Sequence, residues 1–282
     1  MRVIDYVASP GSKLGGGMKT GAGDDRYVFD EAAGWACVID GATDVGPVRI
    51  FSKGETDAAR FAELFAAELL ASPAGANETP QAYFTRLLPL LRGATEKETK
   101  IPLKDAPKSS YPTAAATWVR AKSGMIESAT LGDSIAIVRA PSGQVSVFGE
   151  TSKPAEEQAR AKRVMAMTAE ERLKWLQDVR AIHNTGKGYW VFGVQPEAAG
   201  HAVYQSADAP AGTRVLAMTD GFYRLVSPYG RYSDAQLIEA ASARGLGALL
   251  SELRAQEASP EDDARIGRFK TSDDATALLL EF

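Results

Sequence analysis

Cysteine and histidine are almost absent: the 282 residues include one cysteine and two histidines. The lone Cys37 rules out a disulfide within the chain and fits a reducing compartment. His183 and His201 lie far apart, without acidic or cysteine partners at ligand spacing, so they read as surface or loop residues. That excludes a histidine-rich zinc or iron site and most histidine-based catalytic arrangements. Basic charge is scarce too. Lys and Arg total 32 against 36 Asp and Glu, a net charge of −4, which leaves no electrostatic footprint for nucleic acid or anionic lipid. No apolar run is long enough to span a bilayer, and the opening MRVIDYVASPGSKLGGG lacks the basic start and apolar stretch of a signal peptide. The expectation is a soluble, cytoplasmic protein without nucleic-acid or membrane partners, whose chemistry comes from carboxylates. Its oligomeric state is not specified by the sequence.

Hydrophobic residues make up 45% of the chain, enough to build a sizeable core, and residues 1–282 read as one domain. The first thirty residues suggest strand, glycine-rich loop, strand, and Trp35 to Ile39 a short buried strand ended by Asp40-Gly41. Ala58, Phe61, Ala62, Phe65 and Leu69 recur at helical spacing between about Glu55 and Ala71. A second helix starts near Thr79-Pro80 and continues past Pro89. Strand signals return at Ala114–Arg120, Met125–Leu131, Ser134–Val138 and Val145–Phe148, with Lys122-Ser123-Gly124 and Pro141-Ser142-Gly143 as turns. From Lys153 to about Ile182 the chain is charged and helical, with Thr168 and Glu171 at capping-box spacing, which predicts a helical insertion. Trp175 and Tyr189 read as helix and strand core. Strands follow near Tyr189–Phe192 and Arg214–Met218, a helix starts at Ser233, and Ala275–Phe282 closes the chain as a strand. Blocks of strands and helices without βαβ alternation predict an α+β fold with helices covering packed antiparallel sheets.

Acidic residues share one local setting. In Val38-Ile39-Asp40-Gly41, Leu131-Gly132-Asp133-Ser134, Met218-Thr219-Asp220-Gly221 and Ser272-Asp273-Asp274-Ala275-Thr276, an aspartate stands where an apolar strand ends or begins. Asp24-Asp25 before Tyr27 makes a fifth case. Carboxylates gathered in one cleft repel each other and are tolerated when protons or cations neutralise them. Oxygen-only ligation suits Mg²⁺ or Mn²⁺, and a pair of such ions suits hydrolysis of a phosphate ester. Singly, each position has a structural reading; Asp220-Gly221, for example, fits a hairpin turn.

In their order along the chain these segments resemble the motifs of the metal-dependent protein phosphatases, the type-2C serine/threonine family. The likeness covers nearly the whole chain, with Lys153-Pro154 similar to a further family segment. It implies an αββα sandwich of two packed antiparallel β-sheets flanked by helices. It also implies two Mg²⁺ or Mn²⁺ ions with a bridging water as nucleophile, no phosphoenzyme, and a phosphoserine or phosphothreonine protein as substrate. Asp40 would bridge the metals and Gly41 would offer its carbonyl. Asp220 and Asp273 would complete the core, so that Asp40, Asp220 and Asp273 carry catalysis. Asp25 would act through metal-bound water, and Asp133 with Asp220 would hold a third, weaker ion. The chain departs from the family pattern at three places. Ala42-Thr43-Asp44-Val45-Gly46 supplies no histidine acid, Asp274 replaces the usual asparagine, and Thr20 stands at about the position of the phosphate-binding arginine. Lys19 is the nearest cation and the candidate to bind phosphate. The missing arginine keeps a second reading open, a catalytically weak or inactive binding module of the same fold.

Other sites are weaker. Met18-Lys19-Thr20 lacks the glycine a phosphate loop needs before its lysine. No arginine follows Cys37 at the spacing of a cysteine phosphatase, so Cys37 reads as a core thiol. The absence of a basic stripe argues against a two-metal nuclease.

Overall fold

The computed structural model describes residues 1–13, 18–150, 163–164, 166–259 and 271–282. The Gly15-Gly16-Gly17 run, the Lys153-Pro154 segment and the first part of the expected insertion lie outside the described residues.

Two antiparallel sheets form the centre. The first has the order β1 (Arg2–Ser9), β11 (Ala275–Glu281), β10 (Arg214–Met218), β6 (Ile135–Arg139), β7 (Val145–Phe148). In the second, β2 (Arg26–Asp30), β3 (Trp35–Gly41), β4 (Thr113–Lys122), β5 (Met125–Leu131) and β9 (Val203–Asp208) follow one another, and the short β8 (Phe192–Gly193) pairs with the start of β4.

Strand alternation explains how these sheets stack. Ala36 and Val38 of β3 meet Val215 and Ala217 of β10 and Leu278 and Leu280 of β11 in a core between the sheets. The intervening Cys37 and Ile39 face outward, against Phe61 and Phe65 of α1 (Asp57–Ala71) and Tyr83 and Phe84 of α2 (Pro80–Glu98). On the other outer face, Leu216, Met218 and Leu279 pack against Leu237 of α5 (Asp234–Arg244) and Leu249 and Leu253 of α6 (Leu246–Glu257). The expected αββα sandwich is present, and Cys37 is the buried core thiol expected of it.

Local signals account for the helix boundaries. Thr56 accepts a hydrogen bond from the Ala59 amide at the start of α1, and Thr79 does the same for Ala82 at α2, with Pro80 in the first turn. Both capping boxes form, Thr168 with Glu171 ahead of α3 (Ala169–Ala181) and Ser233 with Gln236 ahead of α5.

Three expectations need correction. Asp220 and Gly221 open a short helical turn, α4 (Asp220–Tyr223), rather than a hairpin, because the amides of Phe222 and Tyr223 bond back to Thr219. Tyr189 is no strand core: Asn184 takes up the Tyr189 carbonyl and the Val191 amide, folding this stretch into a loop and leaving the Tyr189 side chain exposed. Trp175 is half-buried, and α3 has no buried residue.

Candidate active site

The registers carry the acidic residues to one end of the sandwich. Ile39 pairs with Arg26, Ala115 with Asp40, Leu131 with Ala116, and Met218 with both Ala277 and Ile135. The ends of β3, β5 and β10 therefore lie beside the starts of β2, β6 and β11. Asp40 has the strand parity of Ala36 and Val38 and so points into the gap between the sheets where that gap opens. Asp25 precedes β2, Asp133 lies between β5 and β6, Asp220 follows β10, and Asp273 and Asp274 precede β11.

A cleft of about 210 Å³ occupies this opening, bordered by Asp40, Gly41, Asp133, Asp220 and Asp273. Thr43, His183, Tyr189 and Asp274 also border it. Asp40 and Asp220 touch solvent at the floor of the cleft yet are surrounded by protein, whereas Asp133 at the rim is exposed. Asp25 is fully buried beneath them; its Oδ2 accepts a hydrogen bond of 2.9 Å from Thr219 Oγ1, and its Oδ1 has no hydrogen-bond partner among the described residues.

Burial raises the Asp25 carboxyl well above its usual range, and the negative charges of Asp274, Asp220 and Asp273 raise it further. Asp40 is raised by burial and then by Asp25, Asp220, Asp133 and Asp273. Asp220 is pushed up to about 7 by burial, Asp133 and Asp273, against a hydrogen bond with Asp40 that lowers it. Each acid thus feels the others, as expected of one electrostatic cluster.

Lys19 departs from its expected role. Its ammonium lies 2.5 Å from Asp24 Oδ2 and 2.5 Å from Asp274 Oδ2, sealed from solvent, and it is not part of the cleft wall. Two carboxylates attract a lysine more strongly than an open pocket that holds only a transient anion. Asp274 also accepts the amides of Gly11, at 2.7 Å, and Asp24, at 3.1 Å, so the residue at the usual asparagine position anchors the loop before β2. Asp44, in the divergent loop after Gly41, accepts the amides of Asp57 and Ala58 and thereby caps α1.

Several neighbours carry no sequence motif. Arg254 donates to the Asp273 carbonyl at 2.9 Å and pairs with the buried Glu257 at 2.5 Å; Glu257 also accepts the Asp273 amide at 3.3 Å. Arg224 lies 3.8 Å from Asp273 Oδ2. His183 enters the cleft from just beyond α3, its Nδ1 buried without a hydrogen-bond partner among the described residues and its pKa pushed down to about 4 by burial and Arg180. Helix α3 is held over the loop after Gly41 by Gln177, which donates to the Val45 carbonyl at 2.9 Å, and Arg180, which donates to the Thr43 carbonyl at 3.2 Å. The only sequence signal for this contact was the Thr168 capping box, which locates the helix but not its partner.

Among the described residues, no three acidic, histidine or cysteine side chains already converge as a finished metal cage. The donor chemistry nevertheless fits hard divalent cations. The aspartates offer oxygen donors, the carboxylates repel one another, and Asp25 Oδ1 is a buried acceptor with no donor among the described residues.

No protein-family model and no curated protein matches the sequence. Solved structures do match its fold. The serine/threonine phosphatase PstP/Ppp of Mycobacterium tuberculosis superposes with a TM-score of 0.55 at 16% identity, over 100% of this chain and 99% of that one. The PstP catalytic domain in complex with two manganese ions gives 0.54 at 16% identity, covering 99% and 98%. The PPM phosphatase MsPP of Mycobacterium smegmatis, in complex with cacodylate, gives 0.51 at 16% identity over 100% of both chains. The chain therefore has the fold of the PPM-type serine/threonine phosphatases along its full length.

Proposed function

We propose that this chain is a metal-dependent phosphatase, a single domain that hydrolyses phosphoserine or phosphothreonine on a cytoplasmic protein partner. The observation that carries this reading is the meeting of Asp25, Asp40, Asp133, Asp220 and Asp273 at one mouth between two sheets. Asp40, Asp220 and Asp273, with the Gly41 carbonyl, would hold two Mg²⁺ or Mn²⁺ ions, with Asp25 beneath them and Asp133 available to a third. Such ions, when bound, neutralise phosphate charge and lower the pKa of water so that it attacks at neutral pH. The protein's part is to hold the carboxylates in place through Thr219, Arg254 and Glu257. Among the described cleft residues, Thr43, His183 and Tyr189 supply side-chain donors that can orient a phosphate and its leaving oxygen.

Manganese-dependent turnover of a small aryl phosphate, lost in Asp40→Asn, is the expected result. A rate no higher than that of the variant removes the enzymatic reading. One observation favours the second reading, a weakly active or inactive binding module: Lys19 is held by Asp24 and Asp274, and no arginine or lysine is among the described residues bordering the cleft.

A further inference from the structure

Beside the aspartate cleft lies a second cavity of about 290 Å³. Tyr189 borders both, and Gly132, which lines the second, is the chain neighbour of Asp133 in the first. Leu131, Val203 and Trp190 give the second cavity apolar walls, with the Trp190 ring stacked on His201 at a centroid distance of 3.4 Å and 10° between planes. Glu150 is the one acidic side chain among the described lining residues, and it is exposed. An aromatic and aliphatic slot with a carboxylate at its border matches a long side chain that ends in a cation: the stem lies along apolar surface while the head meets the carboxylate and a ring face.

We propose that this cavity binds a lysine or arginine side chain of the substrate, close in sequence to the phosphoserine or phosphothreonine seated in the aspartate cleft. The assignment rests on the phosphatase reading for its register. Two cavities that share a wall are within reach of residues one or two positions apart, because an extended chain advances about 3.3 Å per residue. A neutral apolar side chain would fill the same walls and leave Glu150 without a role, which separates the two occupants experimentally.

The test uses the full chain with Mn²⁺ and fluorescent phosphopeptides that carry lysine, arginine, norleucine, alanine or glutamate at each position flanking the phosphoresidue. Anisotropy reads binding, phosphate release reads turnover, and a small aryl phosphate, too short to reach the second cavity, serves as reference. Lysine and arginine peptides are expected to bind about fivefold tighter than alanine, the upper range for an ion pair that touches solvent. Glu150→Lys should shift the preference to glutamate, and Val203→Trp should abolish it by filling the slot, both with aryl phosphate turnover unchanged. Equal affinity across the series, no detectable peptide binding, norleucine binding as tightly as lysine, or a preference that survives Glu150→Lys overturns the assignment. Aryl turnover without peptide preference removes the cavity's role and leaves the enzyme standing. A Glu150-dependent preference without turnover of any substrate does the reverse.

Discussion

Lys19 and Asp274, 255 positions apart, form a buried ion pair at 2.5 Å, and the same ammonium reaches Asp24 at 2.5 Å. The cation lies behind the acidic cleft and ties the loop before β2 to the start of β11. Removing it leaves two desolvated carboxylates facing each other. Lys19→Met is therefore expected to cost about 3–5 kcal/mol in urea unfolding of the metal-free protein. Asp274→Asn, which leaves Asp24 as a partner, should cost less. The double variant should recover part of the Lys19→Met loss, and strict additivity of the two effects would show that the pair is not coupled.

Asp40 sits among four other acids, and no lysine or arginine is among the described residues bordering the cleft, so its charge destabilises the metal-free fold. Asp40→Asn is expected to raise the melting temperature in EDTA and to abolish the further rise that Mn²⁺ gives wild type. Turnover should fall by at least about a hundredfold, the upper range for losing even an indirect metal contact. A variant less stable than wild type in EDTA would contradict the repulsion argument.

The raised carboxyls fix the sign of a pH effect. Asp220 titrates at about 7 in the folded protein, against 3.8 as its ordinary value. Between those pH values the folded state binds more protons than the unfolded chain. Its contribution to stability is therefore full below about pH 4 and lost as pH rises through about 7. Asp25 and Asp40 act with the same sign. In EDTA, the stability difference between wild type and Asp220→Asn should move in the variant's favour across this window, read by thermal melts at intervals of pH. A difference that stays constant would remove the coupling.

Much of this was legible in the sequence because strand ends leave local marks. Short, near-continuous apolar runs mark β3, β10 and β11, and an aspartate beside each run marks the acids at the strand ends. What escaped depends on contacts between distant segments. Lys19 reads from the sequence as the candidate phosphate binder because nothing near it announces Asp274. Arg254 and Glu257 belong to no motif, yet the packing of α6 near the start of β11 brings both to Asp273. Strand β9, Val203–Asp208, has only half-buried and exposed positions and lies at the edge of its sheet, so it lacks the apolar run that marks a buried strand. The loop that carries Tyr189 to the cleft is set by the Asn184 side chain and backbone, which periodicity does not record.

Gly221 shows why glycine follows Asp220. A Cβ there would collide with the Asp274 carbonyl oxygen and crowd the Asp273 side chain, so α4 can start this close to β11 only without a side chain. Gly221→Ala must separate the two segments that carry Asp220 and Asp273. It is expected to destabilise the fold by about 1–3 kcal/mol and to weaken the Mn²⁺-induced rise in melting temperature. Gly247 provides the contrast, because it lies in α6 with open space where its Cβ would stand. Gly247→Ala should stabilise by about 0.5–1 kcal/mol through helix propensity alone and leave the response to Mn²⁺ unchanged. If both variants lost the metal response equally, close approach at Gly221 could not be what aligns the two aspartates.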